Sequence, residues 1–254
     1  MPDTVPLTTE SIATSLRDAH VLITGGLGFI GSNLARRLVA VGADVTVVDS
    51  LIPEYGGNMQ NVADIVDRLS IDKSDVRNIA NLEQHITSAD YLFNLAGQTS
   101  HLDSMTDPYT DMEINAGAQL SILETCRHRN PRLRVVFGST RQLYGKPIKL
   151  PVDEGHPLNP VDVNGINKLS GELYHRLYSD VYDIHTVCLR MTNTYGPGMR
   201  VRDARQTFLG IWLKAALQDE SFLVYGDGSQ LRDFNYVDDV VDAMLMTAVA
   251  DVCK

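Results

Sequence analysis

The sequence predicts an α/β fold in which a doubly wound parallel sheet carries helices on both of its faces. Short apolar runs typical of buried strands alternate along the chain with stretches of helical periodicity. This alternation favours right-handed strand–helix–strand units, which place the strands parallel in one sheet. The 254 residues are 44% hydrophobic and 21% charged, a composition that suits one globular domain with a smaller appendage.

Six short apolar runs are predicted to be the strands of this sheet. They are residues 20–24, 44–48, 69–72, 91–95, 134–137 and 185–189. A short polar helix is predicted to lead in, and further helices are predicted where apolar residues recur at helical spacing. These helices are residues 1–18, 32–41, 115–127 and 167–178.

The pattern loosens after Gly196 and Pro197, where strands and helices no longer alternate regularly. The elements predicted there are a helix over 206–219, extended pieces over 222–225 and 232–237, and a helix from Asp238 onward. This segment is too short to be an independent domain. We therefore predict a first domain over residues 1–195 and a small lobe over 196–254 that packs on it.

Charge and cysteine usage exclude several classes of protein. The net charge is −10, whereas a nucleic-acid-binding protein needs a basic face to displace counterions from phosphates. The three cysteines, Cys126, Cys188 and Cys253, lie far apart without a CxxC pair, which is typical of free thiols in a reducing compartment. The histidines form no HxxxH or HxH pair, so no metal site is predicted.

No secretion signal or membrane span is predicted either. The first residues include Asp3 and Glu10, and the apolar stretch near the end is interrupted by Asp238, Asp239 and Asp242. These observations predict a cytoplasmic protein.

A glycine-rich segment after the first predicted strand indicates a dinucleotide site. Gly25, Gly28 and Gly31 have the spacing GxxGxxG, directly between a strand and a helix. Glycines at such a turn let the backbone approach a pyrophosphate, which then sits at the helix N-terminus. Asp49 ends the next predicted strand, where a carboxylate accepts hydrogen bonds from ribose hydroxyls and repels a 2′-phosphate. The motif predicts NAD rather than NADP, bound to a Rossmann-type domain over residues 1–195.

Several segments in order resemble the extended short-chain dehydrogenase/reductases, the nucleotide-sugar epimerase/dehydratase family. They are TGGLGFIGSNL at 24–34, DVRN at 75–78, NLAGQTS at 94–100, the helix at Asn115, FGSTRQLYG at 137–145, Lys168, LRMTNTYGPG at 189–198 and VYGDGSQLRDFNYVDDVVDA at 224–243. The resemblance runs from about His20 to the chain end and implies an NAD-dependent enzyme acting on a nucleotide sugar.

The resemblance also implies roles for individual residues. The implied cofactor-binding residues are Gly25, Gly28, Phe29, Ile30, Gly31, Asp49, Ser50, Asp75, Val76, Leu95, Ala96, Gly97 and Lys168. Among these, Asp75 and Val76 would flank the adenine and Lys168 would hold the nicotinamide ribose. The implied catalytic residues are Thr140, Lys168 and Asn164, and the implied substrate-binding residues are Thr140, Arg141, Asn193 and Arg232. Asn193 and Arg232 would hold the diphosphate of the substrate.

The sequence departs from the family at the YxxxK motif, because Asn164 stands four residues before Lys168, where the family has tyrosine. A carboxamide cannot take a proton from a sugar hydroxyl, and a positioned base contributes about 10²–10⁴-fold to the rate. Three explanations remain open: another base, a different reaction, or binding without turnover. The candidate bases are Tyr144, Tyr174, His101, Asp162 and Lys168.

Two further departures concern the substrate. Arg141 and Gln142 follow Thr140 where sugar 4,6-dehydratases of the family carry Asp-Glu, which disfavours water elimination. Arg141 is a candidate ligand for an anionic group such as a uronate carboxylate, and the alternative is a solvent-facing or ion-paired arginine. The family also continues past the final predicted helix, so the substrate lobe is expected to be either reduced or truncated.

These observations predict an NAD-dependent nucleotide-sugar epimerase that acts by transient oxidation of a sugar hydroxyl. The alternatives are a nucleotide-sugar dehydrogenase or decarboxylase, and a protein that binds NAD and a sugar nucleotide without turnover. The resemblance further implies a homodimer, built from two helices at about 104–127 and 163–180. Apolar residues of these helices could instead all face the sheet: Ile114, Leu120, Leu123, Leu169, Leu173 and Leu177.

Overall fold

A computed structural model describes residues 7–203 and 208–251 of the chain. Its centre is a six-stranded parallel sheet with the strand order β3-β2-β1-β4-β5-β6. The strands are β1 (His20–Thr24), β2 (Asp44–Val48), β3 (Leu69–Asp72), β4 (Tyr91–Asn94), β5 (Arg134–Thr140) and β6 (Thr186–Met191). The predicted doubly wound parallel sheet is therefore confirmed, with its order reversing between β1 and β4.

Helices connect these strands and cover both faces of the sheet. In the described residues they are α1 (Thr9–Leu16), α2 (Phe29–Val41), α3 (Ile79–Ser88), α4 (His101–Thr106), α5 (Pro108–Met112), α6 (Ala118–Arg129), α7 (Val163–Tyr182), α8 (Phe208–Leu217) and α9 (Val237–Val249). A π-helical turn over Glu113–Gly117 joins α5 to α6. Two short strands, β7 (Asn193–Tyr195) and β8 (Phe234–Tyr236), pair in parallel beside the main sheet.

The predicted elements agree with the structure except at some boundaries and in the C-terminal segment. The helix predicted over 32–41 begins at Phe29, because the glycine turn ends at its N-cap, Gly28. Residues 222–225, predicted to be extended, form no strand and are mostly exposed. Parts of two predicted helices, residues 1–6 and 206–207, lie outside the described residues.

Two apolar layers pack against the sheet because successive side chains of a strand point to opposite faces. Val21 and Ile23 of β1 belong to one layer, with α2 and α9, whereas Leu22 belongs to the other, with α3 and α6. Helix α9 buries Val237, Val240, Val241, Met244, Leu245 and Ala248, and these residues share the core of β1 and α2. The boundary at residue 195 stays a prediction, and α9, which follows it, packs on the first domain.

No helix within residues 7–203 and 208–251 is both long and apolar enough to cross a bilayer.

Candidate active site

A cleft opens at the carboxyl ends of the strands, where the strand order reverses between β1 and β4. This crevice is the usual ligand site of open α/β sheets. Its lining contains every residue that the sequence predicts for the site except Arg232: Gly25, Gly28, Phe29, Ile30, Gly31, Asp49, Ser50, Asp75, Val76, Leu95, Ala96, Gly97, Thr140, Arg141, Asn164, Lys168 and Asn193. The structure thus brings together side chains from β2, β5, α7 and β7.

Arg232 lies away from this lining. It is exposed, and its Nη1 donates to the carbonyl of the neighbouring Leu231 at 2.8 Å. The structure therefore does not bring Arg232 to the other predicted substrate ligands.

The glycine turn forms one wall of the cleft and requires its glycines. Gly25 has a φ of +70°, and a Cβ on Gly31 would lie 2.4 Å from the carbonyl oxygen of Gly25. The N-cap of α2, Gly28, makes no side-chain capping hydrogen bond, so the first-turn N–H groups have no side-chain acceptor. An uncapped helix N-terminus beside a close backbone approach fits the diphosphate of a dinucleotide.

Asp49 closes the wall at the end of β2. Its Oδ2 accepts from the backbone N–H of Leu27 at 3.0 Å, and its Oδ1 accepts from that of Leu51 at 2.9 Å. Burial raises the pKa of this carboxyl, and the two backbone N–H groups oppose the rise. Each oxygen keeps a second lone pair, so the held carboxylate can still accept from ribose hydroxyls.

Asp75, predicted to face the adenine, has a partner within the chain. Arg77 Nη2 lies 2.7 Å from Asp75 Oδ2, and Arg77 also reaches Glu113 on the π-helical turn at 3.0 Å. The hydrogen bond from Arg77 lowers the pKa of Asp75. An amino group of a ligand that bound Asp75 would therefore share its carboxylate with the guanidinium of Arg77.

Asn164 borders the cleft, but its amide points into the protein and belongs to a buried polar cluster. Its Nδ2 donates to Gln98 O at 2.7 Å and to Asp111 Oδ2 at 2.8 Å. Asn167, one helical turn later, donates to Asp111 Oδ1 at 2.8 Å. Asp111 is fully buried, so two amides on one face of α7 hold one buried carboxylate. Asn164 therefore uses its amide N–H groups inside the fold.

Lys168 lies at the base of the cleft, and its side chain is buried. Its Nζ donates to the carbonyl of Gly138 at 3.2 Å. A Cβ on Gly97 would lie 2.8 Å from this Nζ and 2.9 Å from Asn115 Oδ1. That amide oxygen is buried and has no hydrogen-bond partner among the described residues. Burial lowers the pKa of Lys168 to about 8, and the charge of Asp111 opposes the shift.

Three further residues line the part of the cleft expected to receive the sugar. Thr140 ends β5, and its hydroxyl oxygen accepts from the N–H of Gln142 at 3.3 Å, which leaves its proton free to donate. Arg141 is exposed and makes no ion pair within the described chain. Asn193 donates from its side chain to Asp233 O at 2.8 Å across the β7–β8 pair.

The other four candidate bases lie outside the described lining. The hydroxyl of Tyr144 accepts from Arg190 at 2.7 Å, and Tyr174 of α7 packs against the apolar core. His101 Nδ1 lies 2.7 Å from Asp162 Oδ2. The second oxygen of Asp162 accepts from Gly165 N. Asp162 is therefore the N-cap of α7, and the His101–Asp162 pair lies at the N-terminus of this helix.

Sequence reasoning missed several lining residues, either because their segment carries no motif or because a matching segment identified no role for them. They include Ile52, Tyr55 and Gly57 in the loop after β2, Met191, Thr192 and Thr194 beside Asn193, and Met199. The signal available for three of them was their place in the segment LRMTNTYGPG. In the part of the chain that the structure describes, no three His, Cys, Asp or Glu side chains group as a metal site would require.

Comparison with known proteins agrees with this geometry. Residues 21–252 match the NAD dependent epimerase/dehydratase family. A putative UDP-glucose 4-epimerase of Methanocaldococcus jannaschii is 34% identical over 228 residues, which cover 89% of this chain and 72% of that protein.

Two solved structures are similar over most of the fold. The UDP-N-acetylglucosamine 4-epimerase of Methanobrevibacter ruminantium, in complex with UDP-N-acetylmuramic acid, is 32% identical, with a TM-score of 0.87 over 93% of this chain and 75% of its own. The UDP-glucuronic acid 4-epimerase of Bacillus cereus, in complex with UDP-glucuronic acid and NAD, is 27% identical, with a TM-score of 0.81 over 92% of this chain and 74% of its own.

Proposed function

Since this chain belongs to the NAD dependent epimerase/dehydratase family, we propose that it is an NAD-dependent epimerase of a nucleotide sugar. The observation that carries the proposal is the continuous cleft that joins the glycine turn and Asp49 to Thr140 and Lys168. One end suits a dinucleotide, and the other holds a hydroxyl and an amine beside the place expected for a sugar.

The chain would contribute orientation and charge to this reaction. Bound NAD would accept a hydride from the sugar and return it after the keto sugar has rotated to present its opposite face. Thr140 would donate its hydroxyl proton to the sugar oxygen and so fix which hydroxyl reacts. The uncapped N-terminus of α2 would hold the dinucleotide diphosphate.

Proton NMR of a nucleotide-sugar panel, incubated in D₂O with the protein and NAD⁺, tests this function. We expect new sugar signals without net NADH, and a product without deuterium at the inverted carbon, because the hydride returns to the carbon it left. Deuterium beside a carbonyl would instead indicate enolisation. Stoichiometric NADH would indicate a dehydrogenase, and loss of CO₂ a decarboxylase. Tight binding of both ligands without any new signal would overturn the epimerase assignment.

The charge of the cleft favours an acidic sugar within this panel. Arg141 has no carboxylate partner in the described chain, and the cleft's two described acids, Asp49 and Asp75, lie at the dinucleotide end. An unpaired guanidinium suits bidentate binding of a carboxylate. We therefore include UDP-glucuronic acid beside UDP-glucose and UDP-N-acetylglucosamine, and expect the acidic sugar to bind more tightly.

Asp49 would select NAD over NADP, and its removal should reverse that choice. In Asp49→Ala the 2′-phosphate no longer meets a carboxylate and the ribose loses its acceptor. We expect affinity for NAD⁺ to fall about tenfold, equivalent to about 1.4 kcal/mol, and affinity for NADP⁺ to rise. Calorimetric titration of both dinucleotides measures the ratio, with Asp44→Ala as the control because Asp44 is exposed at the opposite end of β2. An unchanged ratio would contradict the assignment.

We further propose that the protein is a homodimer formed through an apolar face of α7 and the neighbouring α4 and α5. Leu173 and Leu177 of α7 are about half exposed, whereas Ile114 and Leu123 face the core. The exposed apolar residues of this surface are Leu102, Met105, Tyr109, Met112, Ile166, Leu173, Leu177 and Val181. Exposed apolar residues gathered on neighbouring helices are typical of an interaction site.

A charge on this face should dissociate the dimer. In Leu173→Glu/Leu177→Glu two carboxylates would be buried without partners, so we expect sedimentation of a monomer at concentrations where the wild type is a dimer. Leu217→Glu, at an exposed position of α8, is the matched control and should leave the sedimentation coefficient unchanged. A monomeric wild type would refute the proposed dimer.

We propose a cytoplasmic location with no nucleic-acid partner and no membrane association. Cys126 and Cys188 are free, as expected in a reducing compartment, and the net charge is −10. Cys253 lies outside the described residues.

A further inference from the structure

The proposed function requires a side chain that removes the proton of the sugar hydroxyl, and Asn164 has no titratable group. We propose that Lys168 takes up this proton and later returns it, beyond its predicted contact with the nicotinamide ribose. The inference rests on the proposed function, and it names the base for which the sequence left five candidates.

Position within the fold separates Lys168 from the other candidates. Among the five, Lys168 lines the cleft. The others lie outside the lining: Tyr144 accepts a hydrogen bond from Arg190, Tyr174 packs against the core, and His101 pairs with Asp162. A proton acceptor must come within hydrogen-bond reach of the proton it removes. Among these five residues, geometry therefore selects Lys168 before its acidity is considered.

The surroundings of the amine leave it able to reach a substrate oxygen. In the described structure, the carbonyl of Gly138 is its one hydrogen-bond acceptor. Gly138 belongs to β5, whose last residue is Thr140, so the amine lies beside the strand that would position the sugar hydroxyl. Gly97 leaves open the space next to Nζ, which a Cβ would fill.

The polar cluster at Asn164 stabilises this arrangement. Asn164 and Asn167 hold Asp111 inside the fold, where the carboxylate acts on Lys168 through its charge without lining the cleft. The hydrogen bonds from Asn164 and Asn167 to Asp111 thus fix the position of α7 relative to α5. Lys168, on the same helix, remains directed to the cleft.

The charges around Lys168 set its proton affinity. Asp111 on α5 favours the ammonium, whereas burial favours the neutral amine and lowers the pKa to about 8. Glu172, one turn along α7, is paired with Arg190 on β6, and burial keeps His175 largely neutral, with a pKa of about 4. Asp162 is paired with His101 at the N-terminus of the helix.

The step balances with the groups named. The O–H bond of the sugar breaks and its proton bonds to the lone pair of Nζ, while the O–H electron pair forms the new carbonyl. NAD, when bound, would accept the hydride of the C–H bond and return it to the opposite face of the carbon. The ammonium of Lys168 then gives the proton back to the sugar oxygen. The neutral amine starts the cycle, so the rate must rise with pH through about 8.

The test uses the full-length protein and Lys168→Ala, with Lys149→Ala as the control because Lys149 is exposed and paired with Asp153. We expect Lys168→Ala to convert its sugar about 10²–10⁴-fold more slowly. Added primary amines should restore the rate in proportion to their basicity, once the NAD⁺ affinity of each variant is known from titration. Lys149→Ala should keep the wild-type rate and show no amine effect.

A second readout needs neither turnover nor cofactor. Competitive acetylation of the protein alone, followed by peptide mass spectrometry over a pH series, reports the ionisation of Lys168 directly. A midpoint near pH 8 supports the proposal, and a midpoint near the ordinary 10.5 overturns it.

The outcomes separate this proposal from the proposed function. An active wild type whose Lys168→Ala variant binds NAD⁺ but is rescued by no amine overturns the role of Lys168 alone. A wild type that converts no sugar of the panel overturns the proposed function and this role together.

Discussion

Replacement of Glu172 by leucine is expected to lower the free energy of unfolding by about 3–5 kcal/mol. Arg190 Nε donates to both oxygens of Glu172 at 3.1 Å, and Ser139 Oγ donates to Glu172 Oε2 at 2.6 Å. The Glu172 side chain is 2% exposed and that of Arg190 is 14% exposed. The variant would leave a buried guanidinium without its counterion, and this uncompensated charge is the main cost.

Urea unfolding followed by circular dichroism measures the change. The Lys149–Asp153 pair is more than half exposed on both sides, so Lys149→Met should change stability by less than about 1 kcal/mol. The double variant Glu172→Leu/Arg190→Met should be more stable than Glu172→Leu alone, because it removes both charges. If Glu172→Leu unfolds like the wild type, Glu172 and Arg190 do not form a stabilising buried pair.

Asn164→Tyr, which introduces the tyrosine that the resemblance implies at this position, is expected to destabilise the fold by about 2–6 kcal/mol and to lower activity. Asn164 is 1% exposed, so a phenol ring would overpack the site, at about 1–3 kcal/mol. Asp111 would also lose a donor and Gln98 O its amide partner, at about 1–3 kcal/mol. Displacement of α7 would move Lys168 away from Gly138.

Two variants separate these contributions. Asn164→Leu removes the hydrogen bonds with little added volume. The stability that this variant loses measures the contribution of the hydrogen bonds. Gln84→Tyr makes the same change of amide to phenol at an exposed position of α3 and should be nearly neutral. Thermal unfolding measures the stability of each variant, and the NMR conversion assay measures its activity. Higher activity in a stable Asn164→Tyr protein would show that the cleft accepts a tyrosine at this position and would contradict the structural role of Asn164.

The cleft illustrates how far sequence patterns reach. The place of Gly25, Gly28, Gly31 and Asp49 in the lining was predictable because it depends on backbone shape and on a fixed position after a strand. Loop residues such as Tyr55 and Met199 enter the lining only because the chain folds back, and no periodicity reports that. Arg232 lies in a matching segment, yet the chain leaves it exposed and outside the lining.

The sequence by itself determined the α/β class, five of the six sheet strands to within two residues at either end, the glycine turn after β1 and the family, because these follow from local periodicity and short motifs. Only the tertiary structure decided what Asn164 does and which candidate base reaches the cleft. Those answers depend on Asp111 and Gln98, which lie 53 and 66 residues from Asn164 along the chain. Contacts between such distant segments form when the helices pack on the sheet, and so do the burial and proton affinity of Lys168.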